Sequence, residues 1–293
     1  MARVRPIDIE SLEQRLCLAA SITLDLGQTQ QTIQGLGGNY ARGKYGDFYV
    51  ESNDKIGQYT LANLHPQSAR VGIPLRGWEP ANDNSDPNTI NWAGFGTTVP
   101  AVNNVFLLMQ DLSSRGIPII GTVWDVPSWM VSNPTNTTFR KVPSSNYGEL
   151  IESIASFLVR AQNTFNVRVD YLSFNEPDGG FRLYWTSSQM ANFIAQAGPE
   201  FAQYGLNYTP KFLVGDTGNA STLVSFAQPI LANAAAAPYL GPIAFHGWDS
   251  LSYADSVFQG IVSLAQQYNK QVWCTEEGYD ALANTRNPLP FNT

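Results

Sequence analysis

The chain has 293 residues, enough for one large core or two ordinary domains, and 43% of them are hydrophobic. Charged residues reach only 14% where roughly a quarter is usual, and the net charge is −7. An acidic, lysine-poor chain has no footprint for phosphate backbones, which excludes nucleic acid as a partner, and no run of about 18 apolar residues exists to cross a membrane. In chain order, residues 1–20 are basic at the front and end in a short apolar run, too short for an ordinary secretory core. Residues 22–26 alternate like a strand and stop at Gly27. Short, mostly apolar runs then predict strands over residues 32–37, 68–73, 117–124, 169–175, 212–216, 243–247 and 271–275. Helical periodicity falls between them, over residues 105–112, 147–165, 190–204, 223–237 and 253–268. Thr186 to Gln189 forms a capping box before the third of these. Strands alternating with helices indicate an α/β fold built on a parallel sheet.

After the 22–26 segment, seven strands fit a (β/α)8 TIM-type barrel that is one unit short. A doubly wound open sheet is the rival, but Gly35-Leu36-Gly37-Gly38 is not a GxGxxG turn and no acidic residue stands where a second strand would supply one. Too little chain follows Glu276 for a helix, a strand and a closing helix, so the barrel is expected to be truncated after its seventh strand. The expected division is a leader or tail over residues 1–20 and one barrel domain over 21–293.

The ends of barrel strands are where an active site is built. The fourth strand ends in Asn175-Glu176-Pro177, and the seventh ends in Thr275-Glu276-Glu277-Gly278. Strands four and seven face each other across a closed barrel, so two carboxylates meet at its mouth. Glycoside hydrolysis needs such a pair, one arriving protonated and one ionised. Pro177 ends its strand and pushes Glu176 to the rim. Period-two alternation puts Cys274 and Glu276 on one face, with Cys274 an inert core residue beneath the site.

These residues resemble the large clan of retaining (β/α)8 glycosidases. Ile33-Gln34-Gly35-Leu36-Gly37-Gly38, Ala69-Arg70-Val71 and Trp124-Asp125-Val126-Pro127-Ser128-Trp129-Met130 resemble the first three strands of glycoside hydrolase family 30. The resemblance runs from about residue 21 to residue 280. It implies Glu176 as general acid/base and Glu276 as nucleophile. It also implies Asn175 as a partner of the sugar 2-hydroxyl, Arg70 as a cation beside the nucleophile, and His246 as a ring touching that nucleophile. Trp124 would be a wall of the innermost sugar subsite, and Trp248 and Trp78 would extend the cleft. Arg70 would keep Glu276 charged, while Phe174 and aromatic walls would disfavour charge on Glu176. Members usually complete an eighth βα unit and pack a β-sandwich on the barrel, which this chain is expected to lack, and Val126 stands where the family has a proline.

Residues 12–20, Leu-Glu-Gln-Arg followed by a short apolar run, resemble the "LEPR" export segment of secreted bacterial proteins, with Gln14 in place of the proline. That implies a secreted or periplasmic bacterial protein. Removal of such a leader takes Cys17 with it and leaves Cys274 without an intrachain disulfide partner.

Other chemistries find no support. His65 and His246 are the only histidines, HExxH, CxxC, GxSxG and GxxxxGK[ST] are absent, and no metal or cofactor is expected. The expected reaction is retaining hydrolysis of β-glycosidic bonds in a polysaccharide or oligosaccharide by a monomer. The rival is a non-catalytic carbohydrate-binding protein built on the same barrel.

Overall fold

The computed structural model describes Gly27 and residues 32–40, 61–179, 181–248 and 252–277. The chain divides into two compact units, Met1–Gln34 and Gly35–Thr293. The expected leader and the strand predicted over residues 22–26 lie outside the described residues.

In the second unit seven strands pair in parallel and in chain order: β1 (Gly38–Asn39), β2 (Ala69–Gly72), β3 (Ile119–Val123), β4 (Tyr171–Phe174), β5 (Lys211–Thr217), β6 (Leu240–His246) and β7 (Val272–Glu276). Among the described residues six helices lie between them: α1 (Leu75–Trp78), α2 (Pro100–Ser114), α3 (Tyr147–Phe165), α4 (Ser187–Glu200), α5 (Ala220–Leu231) and α6 (Asp255–Gln267). The sheet curls until Arg70 of β2 touches Glu276 of β7. This is the expected TIM-type (β/α) architecture, with seven strands among the described residues.

Local chemistry accounts for the elements. Pro100 starts α2, where its missing N–H costs nothing, and Val102, Val105, Phe106, Met109 and Leu112 bury one face. Asn166 ends α3 in the left-handed conformation. The Thr186–Gln189 capping box is present at α4. The helix predicted to run to residue 204 changes at Phe201 into a 3₁₀ turn, which Gly205 terminates at φ 95°. The helix predicted over 223–237 begins earlier, because Asn219 caps it through Thr222. It also stops earlier, because the Asn233 side chain accepts from the Ala235 and Ala236 amides and competes with helical pairing. The strand predicted over residues 32–37 is displaced: ladder bonds begin at Leu36, whose carbonyl accepts from Gln67 at 2.8 Å, and continue to Tyr40. A Cβ on Gly37 would lie 3.0 Å from the Ser68 carbonyl oxygen, so the close approach of β1 to β2 favours glycine there.

Inside the barrel, side chains stack in layers. Ile120, Leu213 and Ala244 form a small apolar cluster, closed by Tyr171 and Trp273. One step of two residues toward the strand ends replaces Tyr171 by Ser173, Ala244 by His246 and Trp273 by Thr275. The apolar layer is therefore the floor of a polar layer. The larger core lies between sheet and helices. Trp78 is fully buried there, with Phe95, Phe106 and Phe157 at 5.3–5.6 Å and its Nε1 donating to Ser156 Oγ at 2.9 Å. It is a core residue and does not extend a cleft. Phe174 likewise packs outward on Trp185 and Phe193.

Glu79, after α1, and Glu152, on α3, are both fully buried. Burial, with nearby acidic charges, pushes them up to about 8 and about 9. For a carboxyl raised in this way, stability is complete below the ordinary value and is lost as pH rises through the folded value. The melting temperature is expected to fall as pH climbs toward 9, and Glu152→Gln should flatten that decline. Thermal melts of both proteins across this range check it; parallel curves would refute the assignment.

Candidate active site

The polar layer gathers residues from five strands. Arg70, near the middle of β2, is 2% exposed and reaches up the barrel axis. Its Nη2 donates to Asp216 Oδ2 at 2.7 Å and to Asn175 Oδ1 at 2.9 Å, and its Nη1 donates to Glu276 Oε1. Its guanidinium carbon lies 4.3 Å from the centroid of the half-buried Trp124 ring. Asp216 is fully buried and also accepts from the Ser173 and Thr275 hydroxyls. His246, fully buried, lies with Nδ1 3.0 Å from Glu176 Oε1 and 3.7 Å from Glu276 Oε2, and with Nε2 3.5 Å from Asp216 Oδ1.

Two irregularities aim these groups. Between β5 and β6 the register passes from Gly215↔Ala244 to Thr217↔Phe245, so Asp216 is an extra residue, held at φ 56°. Between β6 and β7 it passes from Phe245↔Cys274 to His246↔Glu276, so Thr275 is extra. Regular alternation would send Glu276 outward with Cys274. The bulge instead lets the consecutive residues Thr275 and Glu276 both reach the mouth. Cys274 is consequently an exposed free thiol, its Sγ 3.4 Å from the Glu276 carbonyl, and not a core residue beneath the site. Glu176 is also strained, at φ 44° before Pro177, and is held by its amide to the Asp216 carbonyl at 3.0 Å.

The electrostatics follow from this packing. Burial would raise Asp216, but the Arg70 charge, His246 and the Ser173 hydroxyl outweigh it and hold the carboxyl far below its usual range. Burial likewise opposes charge on His246. The Asp216 and Glu176 contacts and the Glu276 charge overcome it and raise the ring to about 9. His246 is therefore an imidazolium at neutral pH. Its nearer glutamate is Glu176, whereas the sequence suggested the nucleophile candidate Glu276. Nor does Phe174 wall Glu176, since its ring packs on Trp185 and Phe193 on the helix side.

One oxygen each of Glu176 and Glu276, with one ring nitrogen of His246, all lie within 4.8 Å of one another, a spacing a metal ion could use. His246 Nδ1 faces Glu176 at 3.0 Å, and Arg70 donates to Glu276, so His246 and Arg70 are the basic side chains that meet these carboxylates. Glu176, Glu276, Arg70, Asn175, His246 and Trp124 thus converge. Trp248 is half-buried in the turn after β6. Trp129 packs against the core and donates Nε1 to the Glu79 carbonyl at 3.2 Å. Asp178 accepts from Gly218 N and Thr222 Oγ1, tying the β4 and β5 loops together. Asp216 was missed, although the predicted strand over 212–216 ends on it and the same strand-end rule would have found it.

No family model and no curated protein matches the sequence. Solved structures do resemble it. The glycoside hydrolase family 30 subfamily 8 xylanase from Clostridium acetobutylicum superposes with a TM-score of 0.58 at 20% identity, over 87% of this chain and 58% of that one. A GH30 endoxylanase from Clostridium papyrosolvens gives 0.59 at 20% identity, over 87% and 59%. SrfJ from Salmonella typhimurium gives 0.61 at 19% identity, over 86% and 59%. The chain spans just under three fifths of the length of each. The likeness is one of fold, a TIM-type (β/α) barrel.

Asp216→Asn is expected to lower the His246 titration from about 9 toward its ordinary value of 6.5. With only two histidines in the chain, imidazole NMR resolves the change directly. The charged ring adds stability below pH 6.5 that disappears as pH rises through 9. The variant should therefore lose roughly 3 kcal/mol or more across neutral and alkaline pH, because Arg70 loses a buried partner, and a further part at neutral and lower pH, where His246 is charged.

Proposed function

We propose that the chain is a retaining O-glycosyl hydrolase that cleaves β-glycosidic bonds in a polysaccharide or oligosaccharide by double displacement. The observation that carries this reading is the pair of facing glutamates, with carboxylate oxygens within 4.8 Å. Configuration-retaining enzymes hold such groups about 5–5.5 Å apart, whereas inverting enzymes leave a gap of roughly 6.5–9.5 Å for a water. The GH30-like barrel supports the same class of chemistry.

In this reading Glu276 is the nucleophile. Arg70 holds its Oε1, leaving Oε2 to attack the anomeric carbon. The bond from that carbon to the leaving oxygen breaks as the oxygen takes a proton from Glu176. His246, 3.0 Å away, supplies that proton: its Nδ1 proton passes to the Glu176 carboxylate as Glu176 protonates the leaving oxygen, and it returns to the ring when Glu176 later takes a proton from water. A water then gives its proton back to Glu176 and attacks the anomeric carbon, releasing Glu276. Asn175 has its Oδ1 committed to Arg70, so it serves the sugar through Nδ2. Trp124 and Trp248 form apolar walls. Substrates of this size place the protein outside the cell or in the periplasm. No helix among the described residues is long and apolar enough to cross a membrane.

Reducing-sugar release from a glycan panel tests the assignment. Glu276→Gln and Glu176→Gln should each abolish it, and Glu276→Gly with azide should form a glycosyl azide of configuration opposite to the substrate. If both glutamine variants keep normal turnover, the assignment fails. Glycan binding without product in the intact chain would favour the carbohydrate-binding alternative.

A further inference from the structure

Three side chains of the hydrolytic site also have the geometry of a metal centre. One oxygen each of Glu176 and Glu276 and one ring nitrogen of His246 lie within 4.8 Å of one another. His246 Nδ1 stands 3.0 Å from Glu176 Oε1 and 3.7 Å from Glu276 Oε2. Donors on one tetrahedral ion, at bond lengths of about 2.0–2.2 Å, stand roughly 3.3–3.6 Å apart. Small side-chain adjustments therefore bring all three onto a single ion. The ligands come from the ends of β4, β6 and β7, so no spacing along the chain announces them.

The far side of the ring supplies a second observation. His246 is fully buried, and its Nε2 faces Asp216 Oδ1 at 3.5 Å. A metal-bound imidazole almost always donates its other N–H to a carboxylate or carbonyl, which fixes the tautomer and the direction of the ring. Asp216 stands in that place, itself held by Arg70 and by the Ser173 and Thr275 hydroxyls.

Charge points the same way. With the ring neutral, the carboxylates of Glu176, Glu276 and Asp216 face the single guanidinium of Arg70, which leaves two negative charges for a divalent ion to balance. Arg70 occupies Oε1 of Glu276, so Oε2 is free to ligate. The Glu176 and Glu276 side chains keep 17% and 14% of their surface exposed, which opens a path from the barrel mouth. An imidazole beside two carboxylates suits zinc and its neighbours, whereas calcium and magnesium take oxygen ligands.

We propose that Glu176, Glu276 and His246 bind a divalent transition-metal ion of the zinc class, and that the bound ion shuts the hydrolytic site. The inhibition rests on the glycosidase reading; the binding does not. The ion takes the place of the Nδ1 proton, which leaves to solvent. It also holds the Oε2 that would attack the anomeric carbon. The acid and the nucleophile are thus withdrawn together.

Imidazole nitrogen NMR of the intact protein, titrated with zinc chloride, reads the site directly, because His246 and the exposed His65 are the only histidines. Zinc should shift His246 Nδ1 and leave His65 in place, and calcium chloride should move neither. Glu176→Gln should weaken zinc binding by about tenfold or more in calorimetry. Cys274→Ser removes an exposed thiol outside the set and should leave the affinity unchanged. On any glycan the protein cleaves, zinc should inhibit competitively, and EDTA should restore full turnover. No shift at His246, or an affinity lost in Cys274→Ser but kept in Glu176→Gln, overturns the proposal. Turnover that persists with His246 loaded overturns the inhibitory role. If the metal-free protein cleaves no glycan while His246 still takes zinc, the glycosidase reading fails and the metal site stands.

Discussion

Arg70 and Asp216 meet 2.7 Å apart with almost no access to water. Removing two charges from water costs several kcal/mol per ion, and their attraction offsets this only if the remaining donors and acceptors are also engaged. The density of the site largely meets that condition, with Arg70 Nε the one donor of the pair left without a hydrogen bond. Arg70 must also bind Asn175 and Glu276, and Asp216 must also bind Ser173, Thr275 and His246. One ion pair thereby sets the positions of the ends of β2, β4, β5, β6 and β7 relative to one another. The glutamates proposed to do the chemistry are outer members of this network and inherit its rigidity.

The same network explains where the backbone is irregular. Asp216 and Glu176 sit at positive φ without being glycine. Two bulges insert single residues into β5 and β7. Each departure turns a carboxylate toward the barrel axis from a position that regular alternation would point elsewhere. Local strain of order 1–3 kcal/mol per residue persists because several hydrogen bonds over-determine each conformation. The Glu176 amide bonded to the Asp216 carbonyl is one of them.

Charge on this surface is sparse but organised. The barrel mouth holds an Arg–Asp–His–Glu array and, one residue along the chain from Trp124, a buried Asp125 under three arginines. The few strong charges of a sparsely charged chain are thus concentrated at this end of the barrel.

Much of the fold was readable from periodicity alone. Residues 147–165 spell a helix with the bounds the structure gives it, the Thr186–Gln189 box marks the next start, and β2 to β7 all fall on predicted apolar runs. Glu176 and Glu276 were legible because a parallel barrel gathers its strand ends, so position in the pattern fixes position in space. Tertiary structure decided the rest. Whether Cys274 or Thr275 faces inward depends on a bulge, and a bulge is a property of two paired strands, not of one segment. Which glutamate His246 meets, why Phe174 faces the helices, and that Asp216 anchors the site all depend on residues from different strands competing for one small buried volume. Pairwise electrostatics over a few ångströms sets those outcomes, and the order of residues along a chain does not encode such distances.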